Sequence, residues 1–237
     1  MTKKKIGFLI FARSSSLRLP NKVLKKINSK PILWYIYKRV SLISKSKKNI
    51  IIVTSNKNSD DKIINFCEKN NIKFFRGSLN NVMKRSLNCA KFFKLDYFMR
   101  ICADRPFLDY VIGQKMLKLP FYKYDLVTNN LLKTFPKGQT SEIVKVSTLN
   151  KINRKRLKKS NREHICDYFY ENNKIFKIYN IKSNYSKKII NLNLSLDTKS
   201  DLIRIQRCFR NFKYNPIVKT NNVIKYFLKS KDIISGI

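Results

Sequence analysis

The chain has 237 residues, is 43% apolar and 12% aromatic, and carries a formal charge of +38. That length and apolar content suit one α/β domain with a sizeable core and exclude a disordered chain. No apolar run reaches the roughly 20 residues of a membrane helix, no signal peptide is visible, and the scattered cysteines 67, 89, 102, 166 and 208 form no C-x-x-C pair, which speaks for reduced cytoplasmic thiols and against a zinc or disulfide framework.

The first element is the unbroken apolar run Ile6–Phe11, a strand buried on both faces. It empties into Ala12-Arg13-Ser14-Ser15-Ser16-Leu17-Arg18-Leu19-Pro20-Asn21-Lys22. Ligands of open α/β sheets bind beyond the carboxyl ends of the strands. A loop there with the planar forks of Arg13 and Arg18 and the point charge of Lys22 suits a polyphosphate. Ser29 and Pro31 then predict an N-cap and first helical position, with a helix to about Ser44. Residues 49–55 predict a second buried strand, and Ser59 caps the next helix, with Asp60 and Asp61 complementing its dipole. A third strand over 72–75 ends at Arg76-Gly77-Ser78, and a helix follows over 80–93. A fourth strand over 96–101 ends at Cys102-Ala103-Asp104. This alternation predicts a parallel sheet with right-handed crossovers.

Beyond it the pattern loosens. Strands are expected near 125–128 and 142–147, with a loop over 134–139. Ser160-Asn161-Arg162-Glu163 reads as a capping box opening a helix to about Tyr170. Short strands near 176–181 and 191–196 precede a helix opened by Asp197-Thr198 and running through Phe209, and a last helix over 222–229. No repeat or long linker splits the chain.

Several motifs stand in one order along this framework. Ala-Arg-x-x-Ser-x-Arg-Leu-Pro-x-Lys-x-Leu spans residues 12–24. Arg76-Gly77-Ser78 is followed by Arg85, Arg100 leads to Asp104 and Pro106, and Pro136-Lys137-Gly138 leads to Glu142. Arg162-Glu163-His164 and Asp197-Thr198-x-x-Asp201-Leu202 complete the set. Together they resemble the cytidylyltransferases that make CMP-activated acidic sugars, such as the CMP-Kdo and CMP-sialate synthetases, and above all their SpsF-like branch. The resemblance covers nearly the whole chain. Asn21 replaces the usual Gly of the first motif, a mild change because Asn tolerates a left-handed backbone; Asn81, Ala103 and Cys166 are further departures.

The resemblance implies a Rossmann-like, GT-A-like three-layer sandwich with a mostly parallel sheet, as one domain over 1–237 with a small dimerisation and sugar-binding excursion around 134–190. It implies transfer of CMP from CTP to an acidic sugar, with Mg²⁺ on Asp104 and Asp197. Catalytic roles fall to Arg13, Lys22 and Asp104. Nucleotide contacts fall to Ala12, Arg13, Ser16, Arg18, Lys22, Arg76, Gly77, Ser78 and Arg100, and sugar contacts to Lys137, Glu142 and His164. CTP, a small sugar acid and a second copy of the chain are the implied partners. Read from the residues alone, Asp104 can equally start a turn before Pro106, Asp197 can be an N-cap, and Arg100 can pair with Asp104. The lysines are spread along the chain beside abundant Asn and Ile, a composition bias that predicts salt-sensitive rather than specific nucleic-acid binding. No membrane insertion is expected.

Overall fold

The computed structural model describes residues 4–44 and 46–230. Strand β1 (Ile6–Phe11) leads through a loop to a 3₁₀ turn at Lys22–Leu24 and a minimal hairpin, β2 (Lys26–Ile27) and β3 (Lys30–Pro31). Helix α1 (Ile32–Ile43), β4 (Ile50–Ser55), α2 (Asp61–Lys69), β5 (Lys73–Gly77), α3 (Val82–Phe92) and β6 (Tyr97–Cys102) follow. The second half holds α4 (Tyr110–Lys118), β7 (Leu126–Thr128), β8 (Glu142–Lys145), α5 (Val146–Asn153), α6 (Lys159–Glu163) and α7 (Asp167–Glu171). It closes with β9 (Ile178–Asn180), α8 (Lys187–Ile190), α9 (Lys199–Asn211) and α10 (Thr220–Lys229).

Seven strands form one sheet in the order β5-β4-β1-β6-β8-β7-β9. β1 pairs parallel with β4 and β6, and β4 with β5. Along β1, Phe8 and Ile10 join one buried cluster and Leu9 the other, so both faces are covered by helices. That requirement explains the continuous apolar run, as it does in β4, where every residue is buried.

Four local readings are corrected. Ser29 does not cap α1: Asn28 and Ser29 both take positive φ, 43° and 66°, and make the two-residue turn of the β2–β3 hairpin. An N-cap needs extended backbone, which Pro31 supplies instead. Ser59 lies in a 3₁₀ turn, and Asp60 turns inward rather than facing the dipole of α2. The helix from 160 is broken: α6 ends at Glu163 and α7 begins at Asp167, with no side-chain cap on either. Residues 191–196 form no strand, only a single bridge between Lys137 and Asn193.

The sheet is mixed, because β8 runs antiparallel to both β6 and β7. β8 and β9, both within the stretch expected to form the excursion, are strands of this main sheet. Helices α4, α5 and α8 were not foreseen. α5 follows β8 without a loop, which is why an alternating strand reading ran on to Ser147. Among the described residues, no helix is long and apolar enough to cross a membrane.

Candidate active site

The loop after β1 is fixed from beneath. The backbone N–H of Ala12 donates to Val53 O at 3.1 Å, continuing the strand pairing. The N–H of Ser14 then donates to Asp60 Oδ1 at 2.7 Å. Asp60 is 1% exposed and also accepts from Thr54 Oγ1, Ser55 N and Ser55 Oγ. Burial opposes its ionisation, but these donors outweigh burial and hold the carboxyl below its usual range. Ser14 O accepts from Ser16 N and Asn21 N, and Asn21 has φ 56°, the left-handed conformation that Asn tolerates. Leu19 plugs the loop into the core, while Arg13 and Arg18 are left exposed on its outer side.

Lys22 turns inward. Its ammonium donates to Asp104 Oδ2 at 2.9 Å, Asp197 Oδ1 at 3.0 Å and Leu196 O at 2.9 Å. Burial lowers its proton affinity; the two carboxylates more than restore it and raise its pKa. Asp104 follows β6, and its carbonyl accepts from Leu196 N at 2.8 Å, tying the two aspartate segments together. Asp197 is held by the start of α9. Thr198 and Asp201 form a reciprocal capping box, and the Asp197 N–H donates to Asp201 Oδ2. Lys137 Nζ reaches Asp197 Oδ2 at 2.6 Å, and Arg18 stands 3.4 Å from Oδ1. Burial works against the charge of Asp197, but hydrogen bonds from Lys137 and Lys22 hold its carboxyl far below the usual range.

Lys137 is placed by backbone. The 136–138 segment bonds to Leu192 O and Leu194 N, and Gly138 has φ 97°. A Cβ on Gly138 would lie 2.8 Å from the Leu194 carbonyl carbon, so both conformation and contact require glycine there.

The cleft above these groups is about 580 Å³. Its walls include Ala12, Arg13, Ser16, Arg18, Lys22, Arg100, Asp104, His164 and Asp197, which the sequence singled out. Arg13 reaches across the mouth to Glu163 at 3.0 Å, joining the β1 loop to the end of α6. His164, at the break after α6, faces the same space.

Other expected contacts lie elsewhere. Arg76 donates to Ser55 O and Lys57 O and pairs with Asp61 at 2.8 Å, so it secures the ends of β4 and β5. Gly77 and Ser78 do not line the cleft either; Ser78 accepts from Asn81 N, and Asn81 caps α3. Glu142, the first residue of β8, is 1% exposed and does not line the cleft, being paired with Arg100 at 3.2 Å and with the Tyr170 hydroxyl. The partner of Arg100 is thus Glu142, directly opposite it in the β6–β8 register, and not Asp104. Asp60 was read only as a helix-dipole partner, and Arg85 only as a motif position, with no role at the site for either. An acid placed just after a buried strand, in a chain with only 14 acids, was the available signal for Asp60.

Two carboxylates from distant segments therefore meet one cation, with a carbonyl beside them. This all-oxygen set suits a hard divalent ion such as Mg²⁺. No group of three or more His, Cys, Asp or Glu that could hold a metal occurs among the described residues.

Comparison with known proteins places the chain in a family. A cytidylyltransferase family model matches residues 8–233. The chain is 27% identical over 234 residues to the spore coat polysaccharide biosynthesis protein SpsF of Bacillus subtilis, covering 96% of this chain and 95% of that one. It is 33% identical over 201 residues to an uncharacterised protein of Methanocaldococcus jannaschii, covering 83% and 80%. The solved structure of a cytidylyltransferase from Leptospira borgpetersenii superposes with a TM-score of 0.90 at 30% identity over 99% of both chains. The chain belongs to the cytidylyltransferase family, on its SpsF-like side.

Proposed function

We propose that this protein is a Mg²⁺-dependent cytidylyltransferase that transfers CMP from CTP to an acidic sugar and releases pyrophosphate. The observation that carries this reading is the convergence of Asp104 and Asp197 on the Lys22 ammonium, directly below the loop that presents Arg13 and Arg18.

Asp104 and Asp197 would hold the ion. Mg²⁺ bound there would neutralise phosphate charge and acidify the sugar hydroxyl. The chain's own cations do the rest of the electrostatic work. Lys22 sits where it can pass from the carboxylates to a phosphate oxygen, and the exposed forks of Arg13 and Arg18 close on the outer phosphates. The sugar oxygen forms a bond to the α-phosphorus as the bond to the β-phosphate oxygen breaks. In-line placement rather than a protein nucleophile accounts for the rate. Lys137, 59% exposed beside Asp197, is suited to the carboxylate of the sugar, and His164 on the cleft lining to its hydroxyls. Partnership with a second copy of the chain through residues in 134–190, and a cytoplasmic location, belong to the same proposal.

The test is pyrophosphate release from a panel of nucleoside triphosphates, each with a panel of acidic and neutral sugars. CTP with a sugar acid should give turnover. Asp104→Asn should reduce kcat by at least ~10²-fold, with an unchanged melting temperature. Wild-type turnover in that variant would remove Asp104 from the metal site, and preference for another nucleotide or a neutral sugar would replace the substrate assignment.

A further inference from the structure

Arg85, on α3, is 3% exposed and lines the cleft. Its Nη1 donates to Ser78 O at 2.9 Å, while its Nε–H has no partner. Among the described residues it makes no ion pair. Burial, together with the Arg13 charge, lowers its pKa to about 10, so it stays cationic at neutral pH. A buried guanidinium with an unpaired N–H is costly unless a ligand completes it.

The surroundings say which ligand. Within the same cleft, Asp104 and Asp197 gather on Lys22. Arg85 shares the lining with Phe11 and Val82, which pack together in the core cluster on that face of the sheet. Apolar walls beside one buried fork suit a flat, weakly hydrated ring with acceptors on its edge; a triphosphate belongs at the lysine and aspartate end. Nη1 is taken, so the free side of the guanidinium is the edge that carries Nε–H. Two adjacent acceptors match that edge. Gly77 makes the arrangement possible: a Cβ there would lie 2.8 Å from Arg85 Cγ, so the missing side chain is the channel for the arginine stem.

We propose that Arg85 reads the N3 and O2 acceptors of the cytosine base and so sets the preference for CTP over UTP. This rests on the reading of the cleft as a CTP site. Uracil carries a hydrogen on N3 and would set donor against donor.

The experiment measures binding of CTP, UTP, 3-deaza-CTP and inorganic tripolyphosphate by calorimetry, with Mg²⁺, to the wild type, Arg85→Met and Arg85→Lys. The wild type should bind 3-deaza-CTP, which lacks the N3 acceptor, at least ~10-fold more weakly than CTP. Arg85→Met should lower CTP affinity by ~10-fold or more and move the CTP/UTP ratio toward one, with tripolyphosphate unaffected. Arg85→Lys keeps the charge without the fork and should show the same loss of ratio. Equal binding of CTP and 3-deaza-CTP by the wild type overturns the proposal even if a variant fails to fold. An unchanged CTP/UTP ratio in a folded variant also overturns it, as does parallel loss of tripolyphosphate. Failure of the wild type to bind CTP at all would instead remove the cytidylyltransferase reading.

Discussion

Asp60 shows how much a single side chain can contribute without touching a substrate. It ties the N–H of Ser14 to the ends of β4, and so sets the level from which Arg13 and Arg18 extend. Asp60→Asn would point an amide nitrogen at donors and should cost about 2–3 kcal/mol in urea unfolding, with a several-fold rise in KM for CTP. An unchanged KM would separate Asp60 from the site. Asp60 and Asp197 are both held below the usual carboxylate range. Unfolded, each returns to about 3.9. Their contribution is therefore complete above roughly pH 4 and drains away as pH falls from there toward the depressed folded values. Melting temperature should hold steady down to about pH 5 and drop below pH 4, with a shallower drop in Asp60→Asn. Lys22 was legible from its place in the loop motif after β1, Asp104 because it follows an apolar strand, and Asp197 because it precedes a capped helix. Asp60 and Arg85 were visible as residues but not in their roles, because those roles come from burial, and burial is created by packing.

Among the elements, the start of α9 carries the most consequence for the site. Its capping box satisfies the helix's first N–H groups, and the same Asp201 carboxylate accepts from the backbone of Asp197. Asp201→Ala should therefore act twice. It should cost about 1–2 kcal/mol as a lost cap, which in a chain of this size lowers Tm by about 2–4 °C per kcal/mol, and it should lower kcat by loosening Asp197. A loss of Tm with intact kcat would make the cap purely structural. The sequence offered Asp197 as the cap; the structure makes Thr198 the N-cap instead, with Asp201 closing the box. The similar spacing at Ser160 was misleading. Helix α6 starts at Lys159 and stops at Glu163, which leaves Glu163 and His164 turned to the cleft opposite Arg13. The break serves the site at the expense of helix continuity, and no local preference announces it. β8 is a second such case: it alternates like any strand, but its antiparallel place beside β6 is what buries Glu142 under Arg100.

On the scale of the whole molecule, the +38 charge surrounds a cleft lined by five cations, Arg13, Arg18, Lys22, Arg85 and Arg100, and three acids, Asp104, Glu163 and Asp197, a small share of the excess. Most of the excess lies outside it, so it should act as a general field rather than a recognition surface. Binding to single-stranded DNA of arbitrary sequence should fall linearly in log K against log salt, and KM for CTP should rise with salt between 50 and 300 mM, a window over which the Debye length shrinks from roughly 14 to 6 Å. Strong sequence preference at high salt would contradict this.

Apart from the β2–β3 hairpin, the order of strands and helices through β6, the phosphate-suited loop and the two aspartates followed from sequence, because apolar runs, caps and motif spacing are local properties that chain order preserves. The partners were decided only in three dimensions. That Lys22 bridges Asp104 and Asp197, that Arg100 pairs with Glu142, that Arg76 serves the sheet ends and that Arg85 is left unpaired all depend on which segments the mixed sheet brings side by side. Electrostatic pairing acts over a few ångströms of space, and positions as far apart as 22 and 197 acquire that proximity only when the core closes.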